Sequence, residues 1–221
     1  MASVTDTPSR TQIERSALSD ARMTGAAVSL ICERGAAATT LKDVGVLAGY
    51  SRGLASYRFG TKQGLWSFLV KTIGEAWLAE LQQAVAGTSG LDTIRAAVDA
   101  HCRFLLESDD RIRAFYILWF DSVGPHAALK DVIANIHERR RADVEAWIRS
   151  GVANGTIRAD VDVRGVAEQF CAAIIGIVYQ WLVSPLVDAR VQELHTGLIA
   201  QMTLALRPDP TAMSHALGGT T

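Results

Sequence analysis

The chain has 221 residues, 49% of them hydrophobic and 20% charged, with a formal net charge of −1. That is enough apolar material for a sizeable core, in one large or two small domains, and a composition that excludes a disordered chain. The three cysteines, Cys32, Cys102 and Cys171, are far apart and odd in number, which excludes a disulfide scaffold and points to reduced thiols in a cytoplasm.

Residues 1–10 are polar, lack the apolar stretch of a signal peptide and are expected to form a mobile arm. A helix is predicted over 11–34, with Ala17, Ala21, Val28, Leu30 and Ile31 covering the two short helices after it and Gly35 as its stop. The first of these is expected over 41–48: Thr40 can cap it, with Asp43 three residues on in the manner of a capping box, and Val44, Leu47 and Ala48 share a face. Gly49 suits a left-handed turn. Ser51 can cap a second short helix over 52–58. After Phe59 and Gly60, Thr61 caps a long helix over 62–86, in which Leu65, Leu69, Ile73, Trp77 and Leu81 recur four residues apart.

Two short helices joined by a tight turn fit the helix-turn-helix unit, whose second helix enters the major groove of DNA. Between residues 34 and 71 the basic residues are Arg34, Lys42, Arg52, Arg58, Lys62 and Lys71, and Asp43 is the only acid, a local surplus in a nearly neutral chain. Such a patch suits a polyanion. Arg52 and Arg58 could donate to guanine or phosphate, Ser56 to either base type, and Leu54 could touch a thymine methyl.

The Gly-Thr-Ser-Gly loop at 87–90 is the expected domain boundary, dividing residues 11–86 from 87–207. Beyond it only helical periodicity appears, over 91–107, 109–123, 126–154, 166–183 and 187–206, with a polar connector at 156–164 and a flexible tail over 208–221. The chain is therefore expected to be all-α, with about nine helices. The run Glu138 to Arg141 fans around its helix, near Asp143 and Glu145, and is expected to be a salt-bridged surface or interdomain contact. The longest apolar run, 171–179, is well short of the ~20 residues that span a bilayer, so no membrane insertion is expected. The last two helices carry few charges on their faces and need a partner: Phe170, Ile174, Ile177 and Trp181 on one, Leu194, Leu198 and Met202 on the other.

Residues 23–69 resemble the DNA-binding domain of the tetracycline-repressor (TetR) family of bacterial regulators. The resemblance runs through Ala26-Ala27, Leu30-Ile31, Gly35, Thr39-Thr40 and the stretch Ala48-Gly49-Tyr50-Ser51-Arg52-Gly53-Leu54-Ala55-Ser56-Tyr57-Arg58-Phe59-Gly60-Thr61-Lys62-Gln63-Gly64-Leu65. Tyr50, Gly45 and Ser56 depart from the usual small aliphatic, alanine and aromatic residues. The resemblance implies a homodimeric, ligand-responsive regulator, most often a repressor, that reads a palindromic double-stranded operator and is released by a small apolar or amphipathic effector. It aligns Thr40, Ser51, Tyr57 and Lys62 with phosphate-contacting positions, and it places Gly53 in the reading turn. It makes the last two helices a four-helix dimer bundle and puts an effector pocket in the second domain. His101, Phe104, Tyr116, Trp119, Phe120, Trp147, Phe170 and Tyr179 are the candidate lining, with Asn135 a further polar contact.

No enzymatic constellation is found: no nucleophile with a base, no metal-ligand spacing, no phosphate loop and no cofactor motif. A redox switch through Cys102 or Cys171 is the alternative, and their apolar faces argue for inert thiols.

Overall fold

The computed structural model describes residues 11–107, 110–124, 127–184 and 187–208; the expected arm and most of the expected tail lie outside these. Among the described residues the secondary structure is helical throughout: α1 (Gln12–Ala38), α2 (Leu41–Leu47), α3 (Leu54–Phe59), α4 (Lys62–Val85), α5 (Leu91–Leu106), α6 (Asp110–Asp121), α7 (Ala127–Ala153), α8 (Val163–Val183) and α9 (Asp188–Leu206).

Local chemistry sets the first four helices. The Thr11 hydroxyl accepts from the Glu14 amide while the Glu14 carboxylate accepts from the Thr11 amide, closing a capping box that starts α1. Gly35, expected to stop the helix, breaks it instead as a kink at φ 80 and ψ 162, and one further turn follows before Thr39. At α2 the expected box takes another form. Thr40 Oγ1 accepts from the Asp43 amide at 3.2 Å and donates to the Asp43 carboxylate at 2.7 Å, and that carboxylate also accepts from Arg34 at 2.6 Å. Thr40's hydroxyl bond, with Arg34 beside it, holds the Asp43 carboxyl below the usual carboxylate range.

Gly49 adopts the left-handed turn, at φ 79. The helix after it starts later than the sequence suggests. The Leu54 amide bonds to the Ser51 carbonyl, and Gly53 holds the N-cap position without a side-chain bond, so the Ser51 hydroxyl is not the cap. Residues 51–53 are needed to bring the chain round, and Gly45 permits the close pass: a Cβ there would lie 3.0 Å from the Ser51 carbonyl oxygen. Leu47, expected inward, is exposed, because Val44, Gly45 and Ala48 already fill the contact with the neighbouring helices.

Thr61 caps α4 through a 3.0 Å bond from the Gly64 amide, and a Cβ on Gly64 would run into the Phe59 carbonyl. Leu65, Leu69, Ile73 and Trp77 form the predicted buried stripe, joined by Trp66 and Val70. Around its first half close Met23, Ala27, Ile31, Val44 and Ala55. The loop at 87–90 comes after α4 as predicted, yet the apolar core does not stop there: α1 packs on α6, α4 on α5, α6 and α7, and one cluster runs from Met23 to Leu206.

In the second half, α5 packs on α9, and α8 packs between α7 and α9. Asp162 caps α8 with a 3.1 Å bond from the Gly165 amide, starting it at Val163, three residues before the predicted start. As a whole α8 is long and apolar enough, by length and composition alone, to cross a membrane, which the run 171–179 does not reveal; only 22% of its most apolar window is buried inside the chain. Its inward residues, Phe170, Ile174 and Ile177, belong to the core.

One polar pair lies in this interior. His101 of α5 and His195 of α9 are both buried, with His101 Nδ1 2.9 Å from His195 Nε2 and His195 Nδ1 2.7 Å from the Val191 carbonyl. Burial pushes the His101 imidazole well below its ordinary value, with His195 and Arg140 adding to it; burial lowers His195 too, although Val191 and Asp99 pull the other way.

This packing has two measurable consequences. Gly64→Ala should cost about 1–3 kcal/mol in urea denaturation, even though alanine is the better helix former, because the added methyl meets backbone; an unchanged midpoint would show that the Phe59 carbonyl yields freely. Unfolded imidazoles titrate near ~6.5 and these two titrate lower, so the unfolded chain takes up protons first as pH falls. The melting temperature should hold above about pH 7 and decline below about 6.5. His101→Phe should flatten part of that decline, and a flat profile in the parent protein would contradict the buried neutral pair.

Candidate nucleic-acid interface and interior cavity

On the reader, Ser51, Arg52, Gly53, Ser56, Tyr57 and Arg58 are all exposed, and Tyr57 is the extreme case at 88%. Leu54 turns partly into the core, so the face that could meet a thymine methyl is only its outer edge. The basic patch is less free than its charge suggests. Arg58, a candidate for guanine or phosphate, makes a two-fold ion pair with Asp20 of α1, Nε to Oδ1 at 2.7 Å and a terminal nitrogen to Oδ2 at 2.5 Å. Asp20's hydrogen bonds raise the guanidinium further above its ordinary value and brace α3 against α1. Arg34 is held by Asp43, and Lys71 lies 3.9 Å from Glu75. Lys42 and Arg52 make no ion pair among the described residues and remain exposed.

Lys62, in the first turn of α4, donates to the Ala37 carbonyl at 2.7 Å and lies 5.9 Å from the Trp66 ring centroid. An ammonium has three donors, so two remain for another acceptor. Thr40 sits at the start of α2, where its hydroxyl is engaged with Asp43 on both counts.

The second half holds a small, partly open inner cavity of about 60 Å³ lined by Trp77 and Leu81 of α4, Ala97 and His101 of α5, His137, Arg140, Asp143, Val144 and Trp147 of α7, and Phe170, Cys171, Ile174 and Ile175 of α8. An adjoining hollow of about 360 Å³ lies between α4 and α7, reaches Ser67, Lys71, Gly74, Asn135 and Arg139, and shares Trp77, Leu81, Arg140 and Asp143 with the first. Of the aromatic and histidine candidates, the structure brings His101, Trp147 and Phe170 to the inner cavity. The others sit elsewhere. Phe104 stacks behind Trp77 with centroids 4.4 Å apart, and Tyr116 and Trp119 pack with Phe115 in the core. Phe120 meets the exposed Tyr179 at 5.7 Å.

The run read as surface or interdomain contact supplies part of the polar wall. Arg140 lies over the Trp119 ring at 5.1 Å and borders both spaces, while Arg139 borders only the outer one. Burial pushes the Asp143 carboxyl up, against Arg139 and Arg140, and lowers His137, with Arg140 and Arg141 adding to it. Burial raises the Cys102 and Cys171 thiols, which favours the unreactive protonated form.

The residues predicted for a subunit interface divide. Phe170, Ile174, Ile177, Leu198 and Met202 are buried within the chain, because α8 and α9 turn those faces onto α5 and α7 and each other. Trp181 and Leu194 are half-buried, and the Arg113 guanidinium lies 5.3 Å over the Trp181 ring. The outward apolar residues are instead Tyr179, Val183 and Leu204, at 53%, 63% and 69% exposure.

Comparison with known proteins agrees with this architecture. Residues 24–67 match the family described as bacterial regulatory proteins, tetR family, and residues 94–205 match the family described as BetI-type transcriptional repressor, C-terminal. The HTH-type transcriptional regulator CymR of Pseudomonas putida is 31% identical over 158 residues, spanning 69% of this chain and 75% of that protein. The HTH-type transcriptional repressor KstR2 of Rhodococcus jostii (strain RHA1) is 26% identical over 158 residues, spanning 70% and 75%. Among solved structures, a TetR transcriptional regulator from Chloroflexus aurantiacus J-10-FL superposes with a TM-score of 0.73 at 18% identity, over 89% of this chain and 100% of its own. The SmeT–triclosan complex gives 0.70 at 21% identity, over 87% and 93%. The chain belongs to the TetR family of DNA-binding transcriptional regulators, and is not an enzyme.

Proposed function

We propose that the protein is a repressor that binds a palindromic operator as a homodimer and is released when a small apolar or amphipathic effector enters the cavity beside α4. The observation that carries this reading is the double duty of α4: Leu65, Trp66 and Leu69 are buried in the reader, and Trp77 and Leu81, further along the same helix, wall the cavity. Ligand pockets usually measure about 300–1,000 Å³; the adjoining hollow is of that size and the inner cavity far smaller, so a ligand that reaches from the hollow into the inner cavity displaces the wall they share. Displacing Trp77 and Leu81 moves α4, and α4 carries α3 with it. Such a ligand acts only by preferring the displaced state. The repressor names of the matching C-terminal family and of KstR2 support repression, and the SmeT complex with triclosan supports a small-molecule effector.

On DNA, Tyr57, Lys62 and Ser51 meet phosphates and set register, Thr40, whose hydroxyl proton is held by Asp43, fixes the start of α2 beside them, Gly53 lets the backbone come close, and Arg52 and Ser56 reach base edges. Arg58 acts as a strut through Asp20 rather than as a reader. Two copies of α3 must then lie about 34–36 Å apart. The dimer forms through the outward faces of α8 and α9, where Tyr179, Val183 and Leu204 stand beside Trp181 and Leu194, while the five inward candidates support the subunit's own core. An apolar helix with this much bare surface needs a second copy to cover it.

On duplexes selected from random sequence by the protein itself, Tyr57→Phe and Lys62→Ala should weaken binding to every site alike, Lys62→Ala also lowering the salt slope by about one. Arg52→Ala should change which site is preferred, and preserved rank order would remove it from base readout. The paired change Tyr179→Glu with Leu204→Glu should convert a particle of twice the chain mass into monomers in sedimentation, with helicity retained. A parent protein that sediments as a monomer at micromolar concentration would refute the dimer.

A further inference from the structure

The buried histidine pair has a fixed direction. His195 Nδ1 faces the Val191 carbonyl at 2.7 Å, and a carbonyl oxygen only accepts, so that nitrogen carries a proton. Burial keeps both rings neutral. A neutral imidazole has a single N–H, so His195 Nε2 is bare and accepts, across 2.9 Å, from Nδ1–H of His101. His101 has thereby used its only proton on His195. Its Nε2 is a lone pair, buried, and without a hydrogen-bond partner. His101 lines the inner cavity, and with Nδ1 turned to α9 this covered nitrogen is the ring's one unused polar atom, within reach of a ligand once the wall yields.

The surroundings narrow what can meet it. Trp77 packs its ring edge-on to His101, and Phe170, Ile174 and Val144 are apolar. Arg140 and Asp143, of opposite charge and one turn apart on α7, leave the lining without net charge, since burial also favours neutral His137. An unmet acceptor in such a wall is costly, and a second acceptor brought against it is worse.

We propose that the effector is an uncharged molecule with an apolar body and a hydrogen-bond donor, a hydroxyl or an amide N–H, which it gives to His101 Nε2. His195 is the positioning residue: it holds His101 in the tautomer that accepts. An ether puts lone pair against lone pair, and an ionised carboxylate, likewise acceptor-only, does the same while bringing a charge into a lining that carries no net charge. The inference rests on the reading of this cavity as the effector site.

The test uses full-length protein and a matched probe set of 4-propylphenol, its methyl ether 4-propylanisole, and 4-propylbenzoate, titrated by calorimetry at pH 7.5. The phenol should bind at least about tenfold more tightly than the ether or the carboxylate, the effect of about 1.4 kcal/mol. His101→Phe should bring phenol and ether to parity with the ether still bound. His195→Phe, which frees the ring to change tautomer, should narrow the gap. Long-range proton–nitrogen correlation of the imidazoles needs no variant: it should show His101 Nδ1 protonated and Nε2 bare. A protonated Nε2, or equal phenol and ether affinities that Ile174→Trp abolishes, would overturn the donor rule and leave the effector site standing. Failure of every probe to bind, or a phenol preference untouched by Ile174→Trp, would overturn the site itself and the inference with it.

Discussion

The constraint on which the rest depends is that one helix must bury its apolar stripe in two places at once. Leu65 and Leu69 of α4 lie buried toward the helix-turn-helix, while Trp77, buried further along, packs on His101 and Phe104 of α5. A helix of 24 residues spans about 36 Å and is stiff, so a shift at one end is felt at the other. Because the apolar core is continuous from Met23 to Leu206, the reader is a projection of the body, supported by α1 on α6 as well as by α4.

Charge in the reader obeys the same logic of support before contact. Asp20 braces Arg58, Asp43 gathers Arg34 and the Thr40 hydroxyl, and the Ala37 carbonyl accepts a hydrogen bond from Lys62. All three sets join α1 or its end to the segment after it. These contacts are exposed and worth little singly, but together they orient α2, α3 and the start of α4 relative to α1. The group left for DNA is then smaller, led by Tyr57, Arg52 and the remaining donors of Lys62.

Much of this is legible in the residues. The caps at Thr40 and Thr61, the left-handed Gly49 and the four-residue stripe of α4 are local signals, and each marks its element in the structure. Ser51 misleads because a hydroxyl before a helix looks like a cap, while the turn there is closed by its main-chain carbonyl. The orientation of α8 is not legible at all: a helix apolar on nearly every side has no pattern that separates Phe170 and Ile177, which face inward, from Tyr179 and Val183, which face out. The charge run is readable as surface or as interdomain contact, and the two readings divide within it: Arg139 is exposed at the rim of the outer hollow, while Arg140 borders both spaces between α4 and α7. The histidine pair is invisible in sequence, since 94 positions separate its members and only the packing of α5 on α9 unites them.

The link between cavity and reader is tested most directly by filling the cavity without any ligand. Genomic fragments would be captured at two salt concentrations by the parent protein and by an Ala97→Trp variant verified as folded and dimeric. Coupling through α4 predicts a few palindromic sites retained by the parent at the higher salt and lost by the filled variant, since the added indole displaces Trp77 and Leu81 as an effector would. Equal capture of the same sites by both proteins would contradict that coupling, and capture that fades uniformly with salt in the parent would reduce the reader to an electrostatic patch.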